Sequence, residues 1–149
     1  MNAQTIGFAL RDATALLCLA CAAAFVSAAS RSGPDAAREQ LQAMSVPDGL
    51  EVTLFACEPM VVNPADMDVD ARGRVWVTEG ANYRSTFQKW GVLRPDGDRI
   101  QMLEDNDGDG AADTAKTFYQ DLTVNTALGI CVLGDKVIVS SAPYVFVLT

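Results

Sequence analysis

From residue 46 onward the sequence has β character, and short segments alternate apolar and polar residues with the two-residue period of half-buried β-strands. The alternation is clearest at residues 67–69 and 75–78, which flank a short turn that contains glycine. The same pattern recurs at residues 128–132 and 136–140, around a second glycine-containing turn. Two alternating segments on either side of such a turn predict a β-hairpin, so we expect two hairpins here.

Four further segments predict strands, at residues 52–55, 99–103, 114–119 and 144–149. Before them, Pro34 suits the first turn of a short helix that we expect to extend to Met44. These elements predict an all-β fold with one short N-terminal helix. Repeated strand–turn–strand units favour an incomplete β-propeller of one to two blades, and an ordinary β-sandwich is the alternative.

The predicted organisation has three parts: a signal peptide at residues 1–29, a linker with the short helix at 30–45, and a β-propeller fragment at 46–149. A propeller needs at least four blades of about 40 residues each. Only about 120 residues follow the predicted signal peptide. We therefore expect this chain to be the N-terminal part of a larger propeller.

An apolar core at residues 13–26 is too short to span a bilayer comfortably, and small residues follow it at 27–30. This pattern is typical of a secretory signal peptide that is cleaved after Ala28 or Ala29. We expect export to the periplasm or the extracellular space, with no membrane attachment after cleavage. An uncleaved membrane anchor and a lipoprotein cleavage site before Cys21 are the alternatives.

Two cysteines, Cys57 and Cys131, remain after removal of the signal peptide. In an oxidising compartment they could form a disulfide, and the alternative is two buried thiols that pack as small apolar side chains. No Cys-x-x-Cys-His motif occurs, so the chain carries no attachment site for a c-type haem.

The chain contains eleven lysine and arginine residues and nineteen aspartate and glutamate residues, which gives a formal net charge of −8. Binding of nucleic acid or of an anionic membrane requires a basic surface, so we expect neither partner. The chain also contains no histidine. The chain therefore lacks the residue that most often acts as a general base and that most often binds haem iron and zinc in proteins.

An acidic segment at residues 104–113 holds the candidate metal site. Its predicted ligands are the carboxylates of Asp105, Asp107, Asp109 and Asp113 and the backbone carbonyl of Ala111. Alternate carboxylates in a tight loop converge their oxygens, and Ca²⁺ takes six to eight oxygen ligands. Lys116 stands where an EF-hand requires a bidentate glutamate, and strands are predicted on both sides. We therefore expect a structural Ca²⁺ site, and a solvated acidic turn is the alternative.

Eight blocks of sequence carry a resemblance, at residues 46–52, 55–59, 63–64, 72–79, 82–83, 98–100, 103–113 and 127–140. Together they resemble the opening of a family of exported dehydrogenase-like β-propeller proteins, which is related to glucose/sorbosone dehydrogenases. Members of that family often carry a c-type haem domain further along the chain. The resemblance extends from about residue 41 to residue 149.

The resemblance implies a quinoprotein-like oxidoreductase with a sugar or an alcohol as substrate. Pyrroloquinoline quinone or a c-type haem would be bound only in full-length relatives, because the family's histidine-rich segment and haem motif would follow Thr149. We assign no catalytic residue to this chain. In such a propeller the substrate lies where the loops converge, which implies a substrate mouth at Glu79, Asn82, Tyr83 and Arg84. An ordinary solvated loop with a packing tyrosine is the alternative.

The sequence therefore predicts the N-terminal fragment of an exported, calcium-binding β-propeller without catalytic residues of its own. Electron transfer would belong to a haem domain further along the chain. Trp76, which alternates with apolar neighbours, is expected to pack between blades. Two other functions remain as alternatives: a non-enzymatic calcium-binding β-module for adhesion or carbohydrate contact, and a truncated fragment without function.

Overall fold

Seven β-strands, one short α-helix and one 3₁₀ helix (Leu122–Val124) form the fold within residues 32–83 and 92–149, the residues that the computed structural model describes. In chain order the elements are α1 (Pro34–Gln42), β1 (Pro64–Val69), β2 (Val75–Glu79), β3 (Asp98–Glu104), β4 (Thr114–Asp121), β5 (Gly129–Leu133), β6 (Lys136–Ser141) and β7 (Tyr144–Leu148). The signal peptide predicted at residues 1–29 lies outside these ranges. Within them, no helix is both long enough and apolar enough to cross a membrane.

The strands form two antiparallel sheets whose strand order follows the chain without a crossover. Sheet A has the order β1-β2-β3-β4, and sheet B has the order β5-β6-β7. In sheet A, Val75 pairs with Val69 on one side and with Leu103 on the other. In sheet B, Ile138 pairs with Cys131 and Val147. Both predicted hairpins are confirmed, and the described residues are mostly β, as predicted.

The strand predicted at residues 52–55 is wrong, because this segment belongs to neither sheet. It covers sheet A instead: Phe55 and Ala56 pack against a buried cluster that includes Val75 and Leu103. The backbone carbonyl of Phe55 accepts one hydrogen bond, of 2.8 Å, from the N–H of Ala112 in the acidic loop. A β-branched, apolar segment therefore contributes to the core here without a strand ladder.

A larger hydrophobic cluster joins the two sheets. Trp76 and Ile100 of sheet A share this cluster with Val137 and Val139 of sheet B. The Trp76 ring also meets Phe118 edge to face, with 4.9 Å between the ring centroids, an arrangement that aromatic pairs favour. Trp76 thus belongs to the cluster that joins two consecutive sheets. That these sheets are propeller blades, between which we expect Trp76 to pack, stays a prediction.

The two cysteines differ in their surroundings and both carry free thiols. Cys57 is half-buried beside sheet A, whereas Cys131 on β5 is exposed. The alternative of two buried thiols is therefore wrong for Cys131. Its side chain lies on the face of sheet B opposite to the hydrophobic cluster, because strand residues alternate between the two faces and Ile130 and Val132 face the cluster.

The carboxylate of Asp70 connects the turn between β1 and β2 to the core through hydrogen bonds. It accepts a 3.0 Å hydrogen bond from the indole Nε1 of Trp76 and a 2.8 Å bond from the backbone N–H of Arg72. It also forms an ion pair of 2.6 Å with Nε of Arg74. Because Trp76 belongs to the cluster between the sheets, the turn is held in place by one half-buried carboxylate.

These contacts predict a specific dependence of stability on pH. Burial alone would raise the pKa of Asp70, but the hydrogen bonds from Trp76, Arg72 and Arg74 outweigh it and lower the pKa to about 2 from a usual 3.8. Since the pKa is lower in the folded state, the carboxylate stabilises the fold above pH 4, and this contribution is lost as the pH falls towards 2. We expect Asp70→Asn to lower the free energy of unfolding at pH 7 and to flatten its decline between pH 4 and pH 2. Urea denaturation of both proteins across this range measures the effect, and two parallel pH profiles would contradict it.

Candidate metal site

The acidic loop connects β3 to β4 and is closed at its base by the strands themselves. Glu104, the last residue of β3, pairs with Thr114, the first residue of β4. The backbone N–H of Asp113 also donates a 2.9 Å hydrogen bond to the carbonyl of Glu104. The prediction that strands flank this loop is confirmed. A strand pair at its base limits how far the two ends of the loop can separate.

Three of the five predicted ligands come together at the tip of this loop. Asp105, Asp107 and Asp109 each offer one carboxylate oxygen, and these oxygens all lie within 4.8 Å of one another. Calcium–oxygen distances of 2.3–2.6 Å place two ligands on opposite sides of the ion roughly 4.6–5.2 Å apart. The three oxygens are therefore spaced closely enough to contact one Ca²⁺ ion.

The other two predicted ligands have different contacts. One carboxylate oxygen of Asp113 accepts a 2.6 Å hydrogen bond from the backbone N–H of Asn106 at the base of the loop. Asp113 is not part of the group formed by the three tip carboxylates. The backbone N–H of Ala111 donates a 2.8 Å bond to Oδ1 of Asp109. Ligation by Asp113 and by the carbonyl of Ala111 stays a prediction.

Backbone N–H groups already orient the tip carboxylates. Oδ1 of Asp105 accepts a 2.7 Å bond from Gly108, and its Oδ2 accepts a 3.0 Å bond from Gly110. These two bonds lower the pKa of Asp105, so this carboxylate stays ionised. Gly108 and Gly110 have positive φ values of 79° and 86°, which glycine adopts without strain. The loop therefore presents charged oxygens in a defined backbone conformation.

Glu79, predicted at a substrate mouth, lies at the centre of a buried ionic cluster. Its side chain is 0% exposed. Arg99 donates two hydrogen bonds to it, from Nε to Oε2 at 2.7 Å and from Nη2 to Oε1 at 2.8 Å, and Arg94 forms a second ion pair with Oε2. The backbone N–H of Val62 donates to Oε1 at 2.8 Å. Burial raises the pKa of Glu79, but the bonds from Arg99, Arg94 and Val62 outweigh it and lower the pKa.

Asn82 is equally enclosed and organises the chain that leads into β3. Its Oδ1 accepts the backbone N–H groups of Leu93 (3.1 Å) and Arg94 (3.0 Å), and its Nδ2 donates to the carbonyl of Arg94 at 2.8 Å. The backbone N–H of Asn82 donates to a carboxylate oxygen of Asp98 at 3.0 Å. Asp98 is itself fully buried. Asn82 therefore fixes the residues just before β3.

Asp98 and Asn125 extend this network to the chain between β4 and β5. Oδ1 of Asn125 accepts the backbone N–H of Asp98 at 2.8 Å, and the backbone N–H of Thr126 donates to Oδ2 of Asp98 at 2.9 Å. The hydroxyl of Ser141 on β6 donates to the carbonyl of Asn125 at 3.2 Å. Residues from three separate parts of the chain are joined by these bonds.

The alternative of a solvated loop is therefore wrong for Glu79 and Asn82. Tyr83 is 43% exposed, and Arg84 lies outside the described residues. Whether any of the four contacts a substrate stays a prediction. The sequence signal of the buried cluster is a charged glutamate at the end of an apolar strand, with three arginines in the next twenty residues, of which Arg94 and Arg99 contact it.

The chain matches the family described as Domain of unknown function (DUF7133) over residues 36–149. The chain belongs to this family. The DUF7133 match begins within α1 and includes both sheets, the acidic loop and the buried network. No curated protein and no solved structure matches the chain. The description of DUF7133 names no activity.

Proposed function

We propose that this chain is the N-terminal part of an exported, calcium-binding β-propeller resembling glucose/sorbosone dehydrogenases, and that its acidic loop binds a structural Ca²⁺ ion. The observation that carries the calcium proposal is the convergence of three carboxylate oxygens, from Asp105, Asp107 and Asp109, within 4.8 Å. Three like charges at this distance repel one another, and a divalent cation between them removes that repulsion.

A structural role follows from what the loop is attached to. At its base lie the paired ends of β3 and β4. Near its C-terminal end, Ala112 packs against the cluster beneath sheet A and donates its N–H to the carbonyl of Phe55. An ion held by the loop would therefore stabilise the β3–β4 hairpin and the segment that covers sheet A. Because ligands in such a loop come from one short stretch of chain, the ion needs no distant residue.

The propeller proposal is supported by the order of the strands. Sheets A and B are consecutive antiparallel sheets without crossovers, and they pack through the cluster that contains Trp76. Propeller blades are sheets of this kind, arranged one after another around an axis. A β-sandwich commonly contains Greek-key connections between its sheets, and the described strands have none.

The dehydrogenase part of the proposal concerns the complete protein and rests on the resemblance of the sequence. Sugar or alcohol oxidation would require a bound quinone, and a c-type haem domain would accept the electrons. The test is sugar-dependent reduction of an artificial electron acceptor by the natural full-length protein, with and without added pyrroloquinoline quinone. If none of a panel of aldoses and polyols supports reduction, the dehydrogenase part of the proposal is refuted and the calcium part is unaffected.

Calcium binding is tested by titration calorimetry and thermal unfolding of the whole chain. We expect Ca²⁺ to bind the parent and raise its unfolding temperature, with a stabilisation of about 2.7 kcal/mol at a free Ca²⁺ concentration one hundred times Kd. The double variant Asp107→Ala/Asp109→Ala should show neither effect. Magnesium should bind more weakly, because it demands a smaller octahedral site.

A matched control removes two negative charges elsewhere. Asp48 and Asp135 are both exposed and lie outside the acidic loop. Asp48→Ala/Asp135→Ala changes the net charge by the same amount, so we expect it to bind Ca²⁺ like the parent. Equal heats from the parent and the loop variant, or no heat from the parent, would refute the calcium site.

A further inference from the structure

Sheets A and B meet edge to edge at β1 and β5, the first strand of each sheet. These two strands belong to different sheets and are joined by side chains. The backbone N–H of Ile130 donates a 2.8 Å hydrogen bond to Oδ2 of Asp66, and the N–H of Val132 donates a 2.7 Å bond to Oδ2 of Asp68. Two carboxylates of β1 thus bind two amides of β5.

The spacing of these contacts follows the strand repeat. Ile130 and Val132 are alternate residues of β5 and pair with Val139 and Val137 of β6. In an antiparallel strand, the N–H groups of alternate residues point to the same edge. The N–H groups of Ile130 and Val132 therefore point away from β6 and form the row that a free strand edge offers to another strand.

Asp66 and Asp68 match that row because they are also alternate residues of a strand. Their side chains lie on one face of β1, roughly 6.6 Å apart along the strand, which is the spacing of the two amides on β5. Both aspartates are half-buried. At Gly129 a Cβ would lie 2.6 Å from the hydroxyl oxygen of Ser140, so the glycine allows close pairing with β6, and Oδ2 of Asp66 is 4.0 Å away.

We propose that Asp66 and Asp68 form an edge lock, which prevents β5 from pairing with a strand from a second copy of this chain. A hydrogen bond to an ionised acceptor is stronger than one between neutral groups. A carboxylate also offers no N–H in return, so it ends the ladder that a backbone partner would continue. Unpaired strand edges are templates for association between chains. Here the carboxylates of Asp66 and Asp68 occupy the N–H groups of the β5 edge.

Hydrogen exchange at single amides tests the lock in the whole chain. In Asp66→Ala/Asp68→Ala, we expect the amides of Ile130 and Val132 to exchange at least about tenfold faster, as loss of a hydrogen bond to a charged acceptor implies. The amide of Cys131, which points towards β6, should keep its protection. Sedimentation velocity should show a larger species that the parent at the same concentration lacks.

Asp66→Asn/Asp68→Asn is the matched variant, because asparagine keeps a side-chain oxygen at the same position. We expect the amides of Ile130 and Val132 to exchange faster in it than in the parent but more slowly than in the alanine variant, because a neutral oxygen accepts a weaker hydrogen bond. Its sedimentation should match that of the parent. Unchanged exchange at Ile130 and Val132 in the alanine variant would overturn the proposal. So would faster exchange without association, or equal association of both double variants.

A single variant covers the case in which the alanine double variant does not fold. Asp68→Ala should expose only the amide of Val132, while Ile130 stays protected by Asp66. Equal acceleration at both amides would show that the two bonds do not act individually, which also contradicts the lock.

Discussion

Replacing Gly97 with alanine is expected to cost more than about 4 kcal/mol, a large part of the stability of a domain of this size. Gly97 has a φ of +98°, a conformation that L-residues rarely adopt. A Cβ there would lie 2.2 Å from the carbonyl carbon of Asp121 and 2.5 Å from the backbone nitrogen of Leu122. These are backbone atoms at the end of β4, where Asp98 pairs with Asp121. They can move away only if the ends of β3 and β4 separate.

Gly134 provides the matched control for this substitution. It also has a positive φ, of +65°, but a Cβ there meets nothing within 4 Å. Gly134→Ala should therefore cost only the backbone strain, about 1–2 kcal/mol. Urea and thermal denaturation of the two variants beside the parent give the comparison. Equal losses would show that the contact with the end of β4 has no energetic effect.

Replacing Glu79 with glutamine is expected to cost about 3 kcal/mol, the lower end of the range for breaking a buried ion pair. Glutamine keeps the size of the side chain but removes the charge that compensates Arg94 and Arg99. We expect the lower end because the side chains of Arg94 and Arg99 remain 19% and 21% exposed, so water compensates part of their charge. The free energy of unfolding in urea at pH 7 measures the loss.

The pH profile separates lost charge from altered packing. The pKa of Glu79 is lowered in the fold, so the carboxylate stabilises the parent above its usual pKa and this contribution falls as the pH drops below about 4.5. The Glu79→Gln variant should lack that part of the acid sensitivity. Asp35→Asn, which removes an exposed ion pair with Arg38, should change stability by less than about 0.5 kcal/mol. Similar losses from Glu79→Gln and Asp35→Asn would contradict the buried cluster.

The hairpins were predictable because their signals are local. Alternation and a glycine-containing turn lie within about fifteen residues of one another, and the turn selects the register. The segment at residues 52–55 has the same composition as a strand. No short-range pattern tells a paired strand from an extended segment that packs on a sheet, so its position could not be predicted.

The candidate site was predictable only in part, for the same reason. Asp105, Asp107 and Asp109 lie in one short stretch, and their convergence is a property of that stretch. The burial of Asn82 depends on Asp98 and on Asn125, which lies far along the chain and whose Oδ1 accepts a 3.3 Å hydrogen bond from Nδ2 of Asn82. Asp66 and Asp68 alternate like the solvated face of a strand, and only the packing of sheet B reveals their acceptor role.

The bonds of Asp98 have a consequence for recognising distant members of the DUF7133 family. The N–H and both carboxylate oxygens of Asp98 form hydrogen bonds with residues before β3 and after β4. The residue before Asp98 must be glycine, because a Cβ there would clash with the backbone at Asp121. A Gly-Asp pair at the start of one strand, followed after the next strand by Asn-Thr, is therefore a compact signature of this geometry. The signature consists of polar side chains and a glycine, so it does not depend on which apolar residues fill the core between its two halves.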